Sequence, residues 1–479
     1  MIHDLKPYPT YTDSGVPWLG EVPGHWEPSK VKNLSRRGYK TFVDGDWIES
    51  PYITSEGIRL VQTGNIGVGV YREKGFRYIS EKTFDAFGCT EFQPNDVLIC
   101  RLGDPVGRAC LAPRLGVRMI TSVDVCILKP RDDVSGSFIV YAMSLPQYLN
   151  WVGSLVRGST RDRVSRSMLG GFVVPLPPLT EQAAIVRFLD HADRRIRRYI
   201  RAKQNLIKLL EEQKRAIIHR AVTRGLDSNV RLKSSGVEWL GDVPEHWEVK
   251  RNSQLFTQRN QMGFAELPIL EVSLKTGVRV RDFESAIRKQ VMSDRDKYKR
   301  AAKGDIAYNM MRMWQGAVGV APVDGLVSPA YVVARPLAGV EVRYFSSLFR
   351  TASYMSEVDN CSRGIVKDRN RLYWEDFKQI HSPCPPLGEQ TQIADYIDEG
   401  TQSVNNAIDR INREISLLRE YRTRLIADVV TGKLDVREAA ARLPDEVEEP
   451  EPLDEAEGSI EGEDESANDL NAASEEAEV

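Results

Sequence analysis

The hydrophobic positions of the chain follow a heptad spacing in two long segments that lie 208 residues apart. The seam of the second segment alternates steps of four and three residues and contains one arginine: Val404, Ile408, Ile411, Ile415, Leu418, Arg422, Leu425 and Val429. The matching seam of the first segment contains two lysines: Ile196, Ile200, Lys203, Ile207, Leu210, Lys214, Ile217 and Ala221. A seam kept over several heptads predicts two coiled-coil helices of about 40 residues each.

Each predicted helix is bounded by the same sequence signals. The phrase PLPPLTEQAAIVRFLD (Pro175–Asp190) returns as PCPPLGEQTQIADYID (Pro383–Asp398), and its prolines suit a helix N-terminus. At the other end, VTRGLD (Val222–Asp227) and VTGKLD (Val430–Asp435) supply the glycine that is typical just beyond a helix. These signals predict where both helices start and stop.

A second phrase is also written twice. SGVPWLGEVPGHWE (Ser14–Glu27) and SGVEWLGDVPEHWE (Ser235–Glu248) are identical at 11 of 14 positions. One copy lies near the N-terminus, and the other follows the first helix. If the helices pair antiparallel, the end of the second helix returns to the first phrase. The repeats therefore predict a closed, pseudo-twofold arrangement.

Two segments, 28–174 and 249–382, separate the repeats and are rich in short β-type runs between Gly, Asp and Asn residues. Strands are predicted at 96–100, 125–128 and 305–308, and each segment has the size of one α+β domain. The predicted fold class is α+β, with two globular α/β domains and two long antiparallel helices. Five parts are expected: the first phrase with its domain (1–176), the central helix (177–227), the second phrase with its domain (228–384), the C-terminal helix (385–443) and a tail (444–479).

Charge is distributed unevenly along the chain. The formal net charge is −3, but residues 444–479 hold 16 acidic and no basic residues. The remainder has 65 basic against 52 acidic residues, a charge of about +13. A basic body is typical of nucleic-acid binders, and the acidic, apolar-poor tail is predicted to be disordered.

The cysteines and the apolar runs indicate a cytoplasmic protein. The six cysteines form no CxxC pair, and we expect reduced thiols. No apolar run approaches the roughly 20 residues that span a bilayer.

The chain carries no motif typical of an enzyme. A lone GxG at Gly67–Gly69 is too short a signal for a cofactor, no phosphate-binding loop is complete, and no HExxH is found. His25 and His246 lie beside tryptophans in the repeated phrase and are expected to pack or hydrogen-bond. We therefore expect no catalytic residue, no metal site and no cofactor in this chain.

DNA contact is the more consistent function for the polar loops, because Arg, Lys, Asn and Gln there can reach phosphates and base edges. For each candidate the alternative is a solvated loop residue. The candidates are Gln62, Asn65, Arg101, Arg108, Arg161, Arg163, Asn309, Arg312, Gln315, Arg363, Lys367 and Arg369. The first helix is also basic away from its seam, and this face is either solvated or lies along DNA.

The doubled WLGxVPxHWE phrase, the doubled helix start at 175–182 and 383–390, and LEEQKRAII (210–218) resemble the specificity subunits of type I restriction–modification systems. The resemblance covers the chain up to about residue 442, while the acidic tail lies outside the pattern. It implies two target-recognition domains that each read one half of a bipartite DNA sequence, with the helices acting as a ruler for the spacer.

The resemblance also implies partners. These are double-stranded DNA, two modification (methyltransferase) subunits and the restriction (motor–nuclease) subunits. S-adenosylmethionine, ATP and Mg²⁺ are expected on the partner subunits. In the repeated helix starts we assign partner docking to Glu181, Gln182, Glu389 and Gln390. Two other hypotheses remain open: a two-headed scaffold that binds no DNA, and a fragment of a single-chain restriction enzyme.

Overall fold

The computed structural model describes residues 5–156, 162–274, 276–281, 295–364 and 370–444. Its contacts divide the chain into unit 1 (residues 1–203 and 413–449) and unit 2 (residues 204–412 and 450–479). Both boundaries fall inside the two long helices, whereas the sequence analysis treated each helix as a segment of its own.

Both units contain strands and helices, which come in runs along the chain. The helices are α1 (Glu81–Phe87), α2 (Gly136–Met143), α3 (Pro146–Leu155), α4 (Arg166–Gly171), α5 (Leu179–Arg224), α6 (Val342–Phe349), α7 (Ala352–Cys361), α8 (Trp374–Phe377), α9 (Leu387–Val430) and α10 (Arg437–Ala441). The strands of unit 1 are β1 (Tyr11–Asp13), β2 (Glu21–Pro23), β3 (Ser29–Lys30), β4 (Phe42–Asp44), β5 (Ile53–Thr54), β6 (Ile58–Val61), β7 (Tyr78–Ile79), β8 (Glu91–Phe92), β9 (Val97–Cys100), β10 (Ala109–Leu111), β11 (Met119–Thr121), β12 (Val125–Leu128) and β13 (Val173–Val174). Those of unit 2 are β14 (Leu232–Ser234), β15 (Asp242–Pro244), β16 (Glu248–Arg251), β17 (Phe256–Arg259), β18 (Leu270–Ser273), β19 (Gly277–Val280), β20 (Lys299–Ala301), β21 (Ile306–Asn309), β22 (Val318–Val320), β23 (Gly325–Val327), β24 (Tyr331–Pro336) and β25 (His381–Cys384).

The two long helices, α5 and α9, confirm the heptad prediction. They contain 46 and 44 residues and begin directly after the paired prolines of the repeated phrase. They end just before Gly225 and Gly432, whose φ angles of 74° and 78° are left-handed. Glycine adopts this conformation without the steric cost that a Cβ brings, so the chain can turn there.

The three polar positions of the two seams all have partners on the opposite helix. In unit 1, Arg422 donates to Asp193, and Lys203 Nζ lies 2.5 Å from Glu414 Oε2. In unit 2, Lys214 Nζ donates to Asn405 Oδ1 over 2.8 Å. In unit 1 the partner on α9 moves back from 422 to 414 as the position on α5 advances from 193 to 203. In unit 2 it moves back from 405 to 400 as the position on α5 advances from 214 to 217, so the helix segments within each unit run antiparallel. Polar contacts at seam positions favour one register, because a slip would bury a charge without its partner.

Both domains contain the same four-stranded antiparallel sheet. Its strand order is β10-β9-β12-β4 in unit 1 and β22-β21-β24-β17 in unit 2, which match position by position. Three helices follow each sheet, α2 to α4 in unit 1 and α6 to α8 in unit 2. The predicted strands at 96–100, 125–128 and 305–308 are confirmed as β9, β12 and β21. The domains thus share a framework that their sequences barely reveal.

The domains differ in the parts added to this framework. Unit 1 carries a five-stranded sheet of order β5-β7-β6-β11-β8, in which β6 and β11 are parallel. Unit 2 instead has two pairs, β18 with β19 and β20 with β23, linked by a parallel bridge between Ile269 and Leu326. Because these strands present the loops between them, the two domains offer different surfaces from a common base.

A tryptophan of each copy of the repeated phrase packs edge to face on a tyrosine of the neighbouring domain. The ring of Trp18 lies 5.4 Å from that of Tyr148, and the ring of Trp239 lies 5.3 Å from that of Tyr354. Both tyrosines are fully buried in the helical layer of their unit. Such aromatic pairs add to the stabilisation that apolar burial provides. Each pair therefore anchors the hairpin next to it, β1–β2 in unit 1 and β14–β15 in unit 2, to its domain.

The cysteines are consistent with unreactive thiols. All six are free, and all but Cys361 are buried. Burial raises the pKa of Cys89 to about 11 and that of Cys110 to about 12, which keeps both protonated near neutral pH. In the part of the chain that the structure describes, no helix is both long and apolar enough to cross a membrane.

Candidate nucleic-acid interface

The repeated Glu–Gln pair at the start of each long helix is bound inside its own unit. Glu181 accepts a 2.9 Å hydrogen bond from Trp26 Nε1 and lies 2.8 Å from His25 Nε2. We call these three residues the first clamp. Tyr8 also donates its hydroxyl to Glu181, which is only 4% exposed. Burial, followed by the hydrogen bond and charge of Glu181, raises the pKa of Tyr8 well above its usual range and keeps the phenol a donor.

Unit 2 repeats this arrangement. Glu389 accepts a 3.0 Å hydrogen bond from Trp247 Nε1 and lies 2.8 Å from His246 Nε2. We call these residues the second clamp. It ties the second copy of the repeated phrase to the start of α9, as the first clamp ties the first copy to α5. The histidines therefore hydrogen-bond, as their place in the phrase predicted.

The glutamine beside each clamp holds the N-terminus of a domain helix. Gln182 Oε1 accepts from the backbone of Ser135, the residue before α2, over 2.7 Å, and its amide donates to Pro177 O over 2.7 Å. Gln390 Oε1 accepts from the backbone of Glu341, the residue before α6, over 2.8 Å, and its amide donates to Pro385 O over 2.8 Å. Both glutamines are buried.

These contacts revise the role that the sequence suggested for the Glu–Gln pairs. Glu181, Gln182 and Gln390 are buried and use their polar atoms within the unit, so they offer no surface for docking in this arrangement. Only Glu389 remains partly exposed, with 25% of its side chain accessible. The pairs fasten the repeated phrase, the long helix and the domain together.

The helix-ending glycines give a matched test of this packing. A Cβ on Gly432 would lie 2.3 Å from Pro23 Cδ, whereas one on Gly225 would lie 3.2 Å from Glu389 Oε1, the end of a side chain. We expect Gly432→Ala to destabilise the protein by about 3 kcal/mol and Gly225→Ala by about 1 kcal/mol. Both substitutions incur left-handed strain, but only the Cβ at 432 would overlap a ring, since the nearest ring atom to a Cβ at 225 is Trp247 Cζ2 at 3.3 Å. Chemical unfolding of the full chain would measure both. Equal losses would contradict the tight contact of Gly432 with the N-terminal phrase.

Two of the predicted DNA contacts in unit 1, Asn65 and Arg101, are buried and fold the loops instead. Asn65 accepts from Gln62 N over 2.8 Å and donates to Arg72 O and Lys74 O over 2.9 and 2.8 Å. Arg101 donates to Val123 O and Val164 O over 2.8 and 3.0 Å, and its Nε lies 2.9 Å from Asp44 Oδ1. Their side chains support the surface loops from the interior of the domain.

Arg108 is half-buried and braces the turn that contains Gln62. It donates to Ile66 O over 2.7 Å, to Thr63 O over 3.1 Å and to Pro105 O over 2.8 Å. Gln62 is itself half-buried at the edge of the same turn. Gln62 thus remains a candidate for contact, whereas Arg108 has four backbone acceptors within reach, the fourth being Leu102 O at 3.4 Å.

Arg163 is the most accessible candidate of unit 1 that the structure describes. Its side chain is 53% exposed, and its guanidinium lies 2.7 Å from Asp124 Oδ1. Its backbone pairs with Leu102 in a β-bridge, which fixes this end of the loop. Arg161 lies outside the described residues.

Two further exposed residues of unit 1 were not among the candidates. Arg166 is 46% exposed and lies 3.7 Å from Asp44, the carboxylate that also contacts Arg101. Trp47 follows β4 and is 70% exposed, which is unusual for so large an apolar side chain. The signal for Arg166 was the run of basic residues around Arg163, whereas exposure of Trp47 could not be read from its local sequence.

Unit 2 places its candidates in two loops. Asn309 is buried, and its Oδ1 accepts from Met311 N over 2.9 Å, so it shapes the turn in which Gln315 is exposed. Arg312 is half-buried in the same turn. Arg363 is 71% exposed and ion-pairs with Asp376. Lys367 and Arg369 lie outside the described residues.

The candidates that remain accessible are therefore Gln62, Arg163, Arg312, Gln315 and Arg363, and nothing in the geometry groups them for catalysis. Among the described residues, no set of three or more His, Cys, Asp or Glu side chains is placed to hold a metal ion. Exposed guanidinium and amide groups can bind phosphates and base edges, which is the chemistry of sequence recognition.

Comparison with known proteins agrees with this geometry. Residues 31–209 match the family described as type I restriction modification DNA specificity domain. The putative type I restriction enzyme MjaX specificity subunit of Methanocaldococcus jannaschii is 20% identical over 439 residues, which cover 88% of this chain and 96% of the relative. The type I restriction enzyme EcoBI specificity subunit of Escherichia coli is 24% identical, with coverage of 71% and 77%.

A solved structure shares the fold. It comes from work on complex assembly and conformational transition of the type I restriction–modification system, and it is 16% identical to this chain with a TM-score of 0.61. The match covers 86% of this chain and 99% of the solved chain. The matched domain and the relatives of similar length thus make this chain similar to the specificity subunits of type I restriction–modification systems.

Proposed function

We propose that this chain is the DNA-recognition subunit of a type I restriction–modification complex and reads an asymmetric bipartite target. One observation carries the proposal: the clamp, the hairpin and the four-stranded sheet are the same in both units, while the strands and loops added to them differ. Each domain then reads its own half-site, and the two half-sites differ in sequence because the loops do.

The accessible cations support DNA contact through both domains. Arg163 and Arg166 in unit 1 and Arg363 in unit 2 are exposed and held near carboxylates. A carboxylate can fix the direction of a guanidinium before it meets a phosphate or guanine, and it limits non-specific attraction. The body charge of about +13 adds sequence-independent affinity, which should weaken steeply with salt.

The long helices are proposed to set the spacer and to dock two modification subunits. Exposed apolar side chains lie one helical turn apart on each of them: Leu206 and Leu209 on α5, and Leu417 and Tyr421 on α9. Such side chains are typical of helix faces that bind a partner. We assign docking of the modification subunits to these faces in place of Glu181, Gln182 and Gln390, because those three side chains are buried.

In the proposed role, the catalytic reactions take place on other subunits. This chain is then non-catalytic, while S-adenosylmethionine, ATP and Mg²⁺ bind the modification and restriction subunits. DNA, the two modification subunits and the restriction subunits are its partners. A cytoplasmic location and a part in phage defence follow from that role.

The deciding experiment is sequencing of methylated bases in host DNA with and without this gene. We expect a single asymmetric bipartite motif, methylated in both halves, that disappears when the gene is deleted and returns on complementation. A methylation pattern that does not change on deletion would reject the proposal. A two-headed scaffold that binds no DNA predicts that unchanged pattern, so the experiment separates the two hypotheses.

A further inference from the structure

The two clamps differ in what covers their carboxylate. In unit 1, Tyr8 donates to Glu181, and its ring centre lies 5.6 Å from that of His25 and 5.8 Å from that of Trp26. An aromatic hydroxyl of the chain's own N-terminal segment therefore completes the first clamp. Three donors then surround one buried carboxylate.

A cationic side chain from the C-terminal part of unit 1 contacts the Tyr8 ring. The guanidinium of Arg437, at the start of α10, lies 5.2 Å from the centre of the Tyr8 ring, and Asp435 holds it at 2.6 Å. Asp435 also forms a β-bridge with Lys6, two residues before Tyr8. A tyrosine with a cation over its ring thus lies on the first clamp.

The chain of unit 2 takes the same path but does not supply these groups. The backbone hydrogen bond from Gly24 to Thr10 is matched by one from Glu245 to Arg231, which aligns Tyr8 with Asn229. Asn229 is exposed. Glu389 is 25% exposed against 4% for Glu181, while the two histidines are exposed alike, at 48% for His246 and 42% for His25. The second clamp thus presents a carboxylate and an imidazole to solvent.

We propose that the second clamp is a docking site for a tyrosine-bearing segment of a partner protein. The tyrosine hydroxyl donates to Glu389 and its ring packs on His246, as Tyr8 does on Glu181 and His25. Unit 1 shows this occupant on an equivalent surface, and hydrogen bonds to a carboxylate are stronger than those between neutral groups. A nucleic acid does not fit, because its phosphates would be repelled by Glu389. The inference rests on the proposed function only for the partner's identity as another subunit of the complex.

The test uses the full chain with ¹⁵N-labelled tryptophan and, as a probe, a peptide with the sequence of residues 5–12, LKPYPTYT. We expect the peptide to bind with a Kd on the order of 1 mM or tighter and to shift the indole N–H resonance of Trp247. The resonance of Trp26 is the internal control and should stay in place, because Tyr8 already covers that clamp. Trp247→Phe and Trp26→Phe assign the two signals.

Two matched probes give the experiment its specificity. A peptide with phenylalanine in place of the first tyrosine should bind at least about fivefold more weakly, since it lacks the donor. Asn229→Tyr should shift the Trp247 resonance without peptide and abolish the response to it, because the new side chain fills the site. No shift at about 5 mM peptide, or equal shifts of both resonances, would overturn the inference. Neither DNA nor another subunit is present, so this failure leaves the methylation test of the proposed function unaffected.

Discussion

Glu181→Ala is expected to lower the free energy of unfolding of unit 1 by about 3 kcal/mol, the largest loss we expect for a polar residue outside the loops of the candidate interface. The carboxylate accepts from Trp26 and Tyr8 and lies against His25, and it is almost wholly buried. Its removal leaves indole and phenol donors inside the protein with no acceptor. Calorimetry of the full chain, with hydrogen–deuterium exchange of residues 21–34, would measure the loss in unit 1.

Glu389→Ala is the matched control for this prediction. Its carboxylate has two partners instead of three and is partly exposed, so water can replace it more easily. We expect a loss of about 1.5 kcal/mol, seen in exchange of residues 242–255. If both variants lost the same stability, the third donor and the deeper burial of Glu181 would contribute nothing, and the difference between the two clamps would be wrong.

Arg163→Ala is expected to weaken binding of the assembled complex to its target by about 1–3 kcal/mol, roughly 5- to 150-fold. Under the proposed function the loss should be confined to one half-site, because Arg163 lies in the domain of unit 1 and the other half is assigned to unit 2. Arg363→Ala should have the corresponding effect on the second half-site. Titration of duplexes that carry base changes in one half at a time, at fixed salt, would measure both.

Arg118→Ala is the control for general loss of positive charge. Arg118 is also a partly exposed arginine of unit 1, but it is held between Glu81 of α1 and Glu91 of β8 at 2.6 and 3.0 Å. It should leave the preference for both half-sites unchanged. Relaxed discrimination in both halves after Arg163→Ala would contradict the assignment of one domain to one half-site.

Much of the framework could be predicted from the sequence because its signals are local and occur twice. The heptad seams predicted α5 and α9, the paired prolines predicted their starts, and Gly225 and Gly432 predicted their ends. The polar seam residues Lys203, Lys214 and Arg422 stood out as exceptions, and the structure gives each a partner on the opposite helix. A repeated local pattern is informative since each copy supports the other.

The candidate interface was less predictable, because a loop arginine that reaches DNA and one that braces a turn have the same local sequence. Arg101 and Arg163 both looked like exposed loop residues. The first is buried between backbone carbonyls and Asp44, and the second is exposed. Asn65 and Asn309 were expected to touch bases, yet each closes its own turn. Which polar atoms remain accessible to a ligand depends on the tertiary fold.

The sequence by itself determined that the chain holds two copies of one framework around two different domains, because heptads, prolines, glycines and the repeated phrase act through neighbours in the chain. The tertiary structure decided what the repeated Glu–Gln pairs do, since Trp26 meets Glu181 across 155 residues of sequence. It also decided that Tyr8 covers one clamp while Glu389 of the other stays partly exposed. Those contacts depend on distances in space, which no spacing along the chain records.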